Sequence, residues 1–370
     1  MKYFRIIPFY KYFLKKTEYS KVAIALFLFI ISIKAFQKKK VGVICIEHSR
    51  NIGNNLSKYA MFILLSKLGY DPYIIGKRFE KHNISFIQKQ TKLILINNSF
   101  SEIKENDYDI LIVNSDQTWR KWSNEYTDFY DIAFLKFAEK WIKPKFVYGA
   151  SLGRNIWEYN KTDEKIAKSL LKNFKSISVR EKGAIELIRR HLGFTPYFVL
   201  DPTLLIDKKY YLNLVENYNG KISTKEDYIL IYTITNLNQI NLFIRKINET
   251  YNYKLFCVRD NIEDFIYGIY YSKGLITDSF HGTLFSIIFN KPFIAFAYEY
   301  SGKERFNSLK EVFNLGSRIY DINSDPDITL LEKPLYLNKT LLNLLKIKSI
   351  DFLKQNLKRK IISFENPINA

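Results

Sequence analysis

Apolar and polar positions alternate along this chain in blocks whose period changes repeatedly. Val41-Gly42-Val43-Ile44-Cys45-Ile46 is a continuous apolar run, the pattern of a parallel strand covered on both faces. Asn51-Ile52-Gly53-Asn54-Asn55 reads as a polar, glycine-containing turn. From Leu56 to Leu68 the spacing is helical, and Gly69 supplies the stop.

The same unit recurs. Asp109 to Val113 predicts a strand, and Asn114-Ser115-Asp116-Gln117-Thr118-Trp119 leaves its carboxyl end. Phe146-Val147-Tyr148 predicts another, running into Gly149-Ala150-Ser151-Leu152-Gly153. Ile177-Ser178-Val179 leads into Arg180-Glu181 and a helix ending near Gly193. Leu200-Asp201-Pro202-Thr203 punctuates the chain, after which the pattern restarts with strands over 228–234, 254–258, 274–277 and 292–296. Helices are predicted over 237–249, 262–271 and 283–289, and a Lys-rich amphipathic one over 340–360. This alternation predicts an α/β fold of two Rossmann-like domains facing a cleft, residues 41–200 and 201–335. An N-terminal arm (1–40) and a C-terminal basic helix (336–370) flank them.

Composition narrows this picture. At 370 residues and 47% hydrophobic content the chain can fill two cores. The formal net charge of +20 accompanies abundant lysine and comes nearly half from residues 1–40, with no recognised nucleic-acid module, so nucleic acid is not an expected partner. Residues 1–40 hold ten Lys or Arg against the single acid Glu18. Their apolar run, Val22 to Ile33, is shorter than the ~20 residues a bilayer span needs. Lysines follow it rather than a cleavage site. Two readings fit: an arm lying on an anionic membrane surface, or a buried first helix with a basic flank. Cys45 and Cys257 sit in apolar runs without Cys-x-x-Cys spacing, which predicts two buried thiols in a reducing cytoplasm and neither metal nor redox chemistry. The expected location is cytoplasmic, peripheral at the inner face of the cell membrane if the arm binds lipid.

The segment Thr277-Asp278-Ser279-Phe280-His281-Gly282 concentrates the candidate chemistry. A strand ends there and a helix begins, so backbone N–H groups and the positive end of a helix dipole converge. His281 falls in the first helical turn, where an imidazole suits acid–base work, and Asp278 or Ser279 is placed to cap the helix. A capped helix with a merely structural histidine fits the same residues. Arg180, Lys303 and Arg305 follow strand ends and supply candidate cations for a phosphate or carboxylate; solvated surface charge is the competing reading. In the first half, the turn containing Gly53, Asn54 and Asn55 can approach a sugar or phosphate, and Asp116 beside Trp119 offers a carboxylate with a stacking ring. A turn carboxylate and a core tryptophan explain that pair equally well. No Asp-x-Asp metal pattern follows a strand, and His48, His82 and His191 lack ligand spacing.

Taken in order, these segments resemble the polysaccharide pyruvyl transferase family. The resemblance runs through Asn51–Leu56, Ile112–Trp119, Tyr148–Gly153, Ser178–Gly183, Leu200–Thr203 and Thr277–Thr283, and Arg305-Phe306-Asn307-Ser308-Leu309 extends it. It implies a fold like the GT-B glycosyltransferases. It also implies a reaction in which phosphoenolpyruvate, a co-substrate rather than a cofactor, places a pyruvate ketal across two hydroxyls. The acceptor would be a sugar of a capsule, exopolysaccharide or lipid-linked glycan. His281 would be the acid–base residue. Arg180, Lys303, Arg305, Ser279, Gly282 and Thr283 would hold the donor, and Asn54, Asn55, Asp116 and Trp119 the acceptor. Many members carry an arginine where this chain has Ser279. Two alternatives stay open: a GT-B glycosyltransferase using a nucleotide sugar, and a non-catalytic scaffold of a polysaccharide assembly complex.

Overall fold

The computed structural model describes residues 38–46, 51–77, 89–121, 128–235, 238–250, 253–299 and 302–358. Residues 1–37 of the basic arm, and His48 and His82, lie outside these. Among the described residues the strands form two parallel sheets. The first comprises β1 (Lys40–Ile44), β2 (Asp71–Lys77), β3 (Leu93–Ile96), β4 (Ile110–Val113), β5 (Lys145–Ala150), β6 (Ser176–Val179) and β7 (Tyr197–Phe198). Their spatial order is β3-β2-β1-β4-β5-β6-β7. The second comprises β8 (Tyr228–Tyr232), β9 (Lys254–Val258), β10 (Gly274–Thr277), β11 (Phe293–Ala297) and β12 (Ile319–Asp321), ordered β12-β11-β10-β8-β9.

The central strands β4, β8, β10 and β11 are buried at every position, because helices cover both faces. That is why they read as unbroken apolar runs. Strand order reverses between β1 and β4 in the first sheet, and between β8 and β10 in the second. Chains leaving either side of such a reversal turn opposite ways and leave a crevice at the carboxyl ends. Four segments therefore border the two crevices: helix α1 (Ile52–Lys67) after β1, the Asn114–Trp119 loop after β4, the 233–235 loop after β8, and Asp278–His281 after β10.

Two helix starts differ from the sequence pattern. Asn51 caps α1, its Oδ1 accepting from Asn54 N at 2.9 Å, so the expected 51–55 turn is a cap and the first helical turn. Helix α2 (Phe280–Phe289) begins three residues before the expected Thr283, since Ser279 Oγ accepts from Gly282 N at 3.2 Å. β2, β3, β7 and β12 were not expected at all. Cys45 is buried as expected, but Cys257 is exposed, because β9 is an edge strand of the second sheet.

Helix α3 (Lys303–Phe313) reaches across to the first sheet's domain: Ser308 Oγ accepts from Lys182 N at 2.8 Å, and Glu304 N donates to Gly153 O. The last helix, α4 (Lys339–Leu357), also returns to that domain. Phe352 packs against Phe146, Tyr148 and Tyr197, Ser349 Oγ accepts from Leu200 N, and Lys175 Nζ binds the carbonyls of Gln355, Asn356 and Lys358. One buried apolar cluster consequently runs through both halves. Among the described residues no helix is long and apolar enough to cross a membrane.

Candidate active site

The two crevices meet at His281. A methyl group placed on Gly53, in the first turn of α1, would overlap the His281 ring at Nδ1, Cγ and Cβ. Gly53 has helical backbone angles, so its value here is small size rather than a left-handed conformation. His281 is 3% exposed. Its Nε2 makes no hydrogen bond among the described residues and lies 3.7 Å from Asp201 Oδ2. That spacing is longer than a hydrogen bond and sets a carboxylate beside the ring nitrogen.

Asp201 belongs to the segment leaving β7, where its Oδ1 accepts from Thr203 N (3.0 Å) and Thr203 Oγ1 (2.8 Å). Its Oδ2 pairs with Arg180 Nη1. Arg180 Nη2 pairs with Asp116 Oδ1 at 2.9 Å, and Asn54 Nδ2 donates to the other oxygen of Asp116 at 2.8 Å. Asp116 has φ 98°, a left-handed angle that costs a non-glycine residue about 1–3 kcal/mol. The Arg180 pair, Asn54 and Gln117 N (2.9 Å) hold it there.

Burial alone would raise both carboxyls. Arg180 outweighs it, joined by His281 at both aspartates and by Arg305 at Asp116, and holds each well below the usual carboxylate range. Burial wins at neighbouring Glu181, whose carboxyl is raised although Ser151 Oγ and Leu152 N donate to it. Arg180 itself, against the effect of burial, is raised by Asp201, Asp116 and Glu181. The Phe280 ring lies 4.8 Å from the Arg180 guanidinium and 5.1 Å from that of Arg305. Burial and the nearby Arg180 charge pull Arg305 down to about 10, still protonated near neutrality.

The structure thus sorts the expected site residues. His281, Arg180, Arg305, Asn54 and Asp116 converge. Arg180 is an expected anion clamp whose charge is already met by two aspartates. Lys303 sits on the rim, half-buried and paired with Asp321 at 2.8 Å. Ser279, Gly282 and Thr283 spend their polar groups on the helix start, Thr283 N donating to Ser279 O at 3.0 Å. Asp278 does not cap; its buried carboxylate accepts from Ile234 N (2.6 Å) and Thr235 N (2.9 Å) and fixes the loop after β8. Trp119 overturns its expectation. It is 1% exposed and donates Nε1 to Ala133 O at 2.9 Å, so its ring is not available to stack on a sugar. Asn55 is buried on α1. His191 stacks on Trp157 and meets Glu164 away from this centre. Sequence reasoning missed the link from Asp201 to Arg180 and His281. Asp before Pro-Thr signals a local cap, and nothing in it signals a partner elsewhere.

Beside the buried centre opens a cleft of about 300 Å³ lined by Asn51, Tyr232 to Thr235, Arg259 and Asp260.

The model of the polysaccharide pyruvyl transferase family matches residues 51–300, from the first residue of this site to the loop after β11. The chain belongs to that family. It is therefore a transferase of polysaccharide biosynthesis. The match takes in Gly53, Asp116, Arg180, Asp201 and His281, whereas Lys303 and Arg305 of the transferase lie beyond it. Among solved structures, the UDP-GlcNAc 2-epimerase from Neisseria meningitidis bound to UDP-GlcNAc is 11% identical. It covers 86% of this chain and 99% of its own, with a TM-score of 0.51. Arabidopsis thaliana UGT89C1 is 10% identical over 86% of this chain and 98% of its own, also at 0.51. At such identities the likeness is one of fold, the expected GT-B-like pair of Rossmann domains. No curated protein matches the sequence.

Proposed function

We propose that this transferase moves the pyruvyl group of phosphoenolpyruvate onto two hydroxyls of a sugar in a surface polysaccharide or its lipid-linked precursor. One acceptor oxygen bonds to C2 of the donor as C3 gains a proton and becomes a methyl group. The second oxygen then displaces phosphate from C2, closing the ketal. Of the two hydroxyl protons, the balance sends one to C3 and one to the departing phosphate. His281 is the residue to shuttle them, with Asp201 supporting the imidazolium and Gly53 fixing the ring. The observation that carries this reading is the buried, unbonded Nε2 of His281 beside Asp201, within a shell that also holds Arg180 and Arg305. An anionic donor there relieves the repulsion between those two guanidiniums.

The test combines purified protein, phosphoenolpyruvate and the glycan isolated from the producing cell. Phosphate release should require both substrates and fall about 10²–10⁴-fold in His281→Asn. Consumption of a nucleotide sugar, with no phosphate released from phosphoenolpyruvate, would replace this reading with glycosyl transfer.

A further inference from the structure

The residues expected to hold the acceptor are largely committed elsewhere. Trp119 is core, Asp116 is paired with Arg180 and Asn54, and all four are buried. The open cleft between α1 and the ends of β8 and β9 has the opposite character. Arg259 and Asp260, which follow β9, are exposed. Neither forms an ion pair with another described side chain. We propose that this cleft is the acceptor subsite, in which Arg259 and Asp260 bind hydroxyls of a single pyranose ring. The assignment rests on the pyruvyl-transfer reading only in calling that sugar the acceptor.

The lining specifies the class of ligand. One cation and one anion leave the cleft without surplus positive charge, which disfavours a diphosphate. A carboxylate accepts two hydroxyl hydrogens and a guanidinium donates along two parallel directions, a set that matches the vicinal hydroxyls of a sugar. Thr233 Oγ1 adds a donor and acceptor, Asn51, whose Oδ1 caps α1, adds its Nδ2 donors, and Thr235 Oγ1, although bound to Asp278, keeps acceptor capacity. Ile234, 53% exposed, offers an apolar surface for the C–H face of the ring. The volume of about 300 Å³ stands at the lower limit for small-molecule sites and suits one sugar unit rather than several.

Position ties this cleft to the reacting centre from both sides. Asn51 stands two residues before Gly53, which abuts His281. The opposite wall, Ile234 and Thr235, hangs from the carboxylate of Asp278, three residues before His281. Both walls of the cleft are therefore tied to residues that position His281, while none of the buried ion network lines it.

Titration of the intact protein with methyl α-galactoside, methyl β-mannoside and methyl N-acetyl-β-glucosaminide, followed by saturation-transfer NMR, tests this. At least one glycoside should bind. Asp260→Ala and Arg259→Ala should each weaken it by about tenfold or more, the scale of a lost charged hydrogen bond. Thermal midpoint and phosphoenolpyruvate affinity should stay unchanged, since both side chains are exposed and outside the buried network. Binding of none of the three glycosides, or binding that both variants leave intact, would overturn the assignment. So would binding of UDP that both variants abolish while the glycosides remain inert. If glycosides bind through Arg259 and Asp260 but phosphoenolpyruvate does not bind at all, the sugar subsite stands and the donor reading fails separately.

Discussion

The imidazole of His281 occupies the space that a side chain on Gly53 would need, so a residue of one sheet's domain fixes the candidate catalytic group of the other. Alanine is intrinsically better than glycine within a helix by about 0.5–1 kcal/mol. On propensity alone Gly53→Ala would stabilise α1. We expect instead a loss of kcat/KM of about 10²-fold, the scale of a catalytic group displaced by roughly 1 Å. Gly316→Ala, where an added methyl meets nothing within 4 Å, is the control and should leave the rate unchanged. Steady-state kinetics of the two variants decides the matter.

Arg180 is buried with a carboxylate on each terminal nitrogen. Asp201→Asn strips one of them and leaves a buried charge half-compensated. The expected cost is about 3–5 kcal/mol of folding stability, read from urea unfolding. Adding Asp116→Asn should give a total that departs from the sum of the single losses, because both carboxylates share one guanidinium.

The same pair sets a pH dependence. Asp116 and Asp201 have folded-state pKa values below their unfolded value of about 3.9. The unfolded chain therefore takes up protons first as pH falls. Their contribution is complete above about pH 5 and shrinks progressively through pH 4 and below. Glu181 and Asp278, raised by burial, push the other way. The urea midpoint should drop between pH 5 and pH 3, with a shallower drop in Asp116→Asn. A midpoint independent of pH in both proteins would contradict the ion network.

Much of this architecture could be read from the sequence where residues act locally. β1, β4 and β10 are buried on both faces and announce themselves as apolar runs. His281 falls between the apolar run 274–277 and the helix that follows it, a junction the local pattern locates. β2 escaped because Pro72 stands at its second position and Gly76 near its end, neither a strand former. β7 is two residues long, too short for any period to show. The ion network was illegible for a different reason: Arg180 meets Asp116 and Asp201 across 64 and 21 residues of chain. Each acid looks locally like an ordinary turn residue. Exposure of Cys257 depends on β9 lying at an edge, which is a property of strand order.

Trp119 gives a sharp separation between core and site. Trp119→Phe removes the donor to Ala133 O and leaves a partly filled space beside Phe134. Unfolding should become easier by about 1–3 kcal/mol. The KM for the glycan acceptor should not change; a rise of tenfold or more would return the indole to the binding surface.

The polypeptide passes between the two sheets more than once. It crosses after β7, and again where α4, following the 330–334 carbonyls clasped by Arg318, lays its last turns on the starting domain. Two covalent crossings, with the apolar cluster that both halves share, resist sliding or twisting of one sheet against the other. Gly53 and His281 are therefore held against each other by ties far from either residue. The register of the imidazole against the first helix is thus a property of the whole chain path, and a substitution at either crossing acts on the site without touching it.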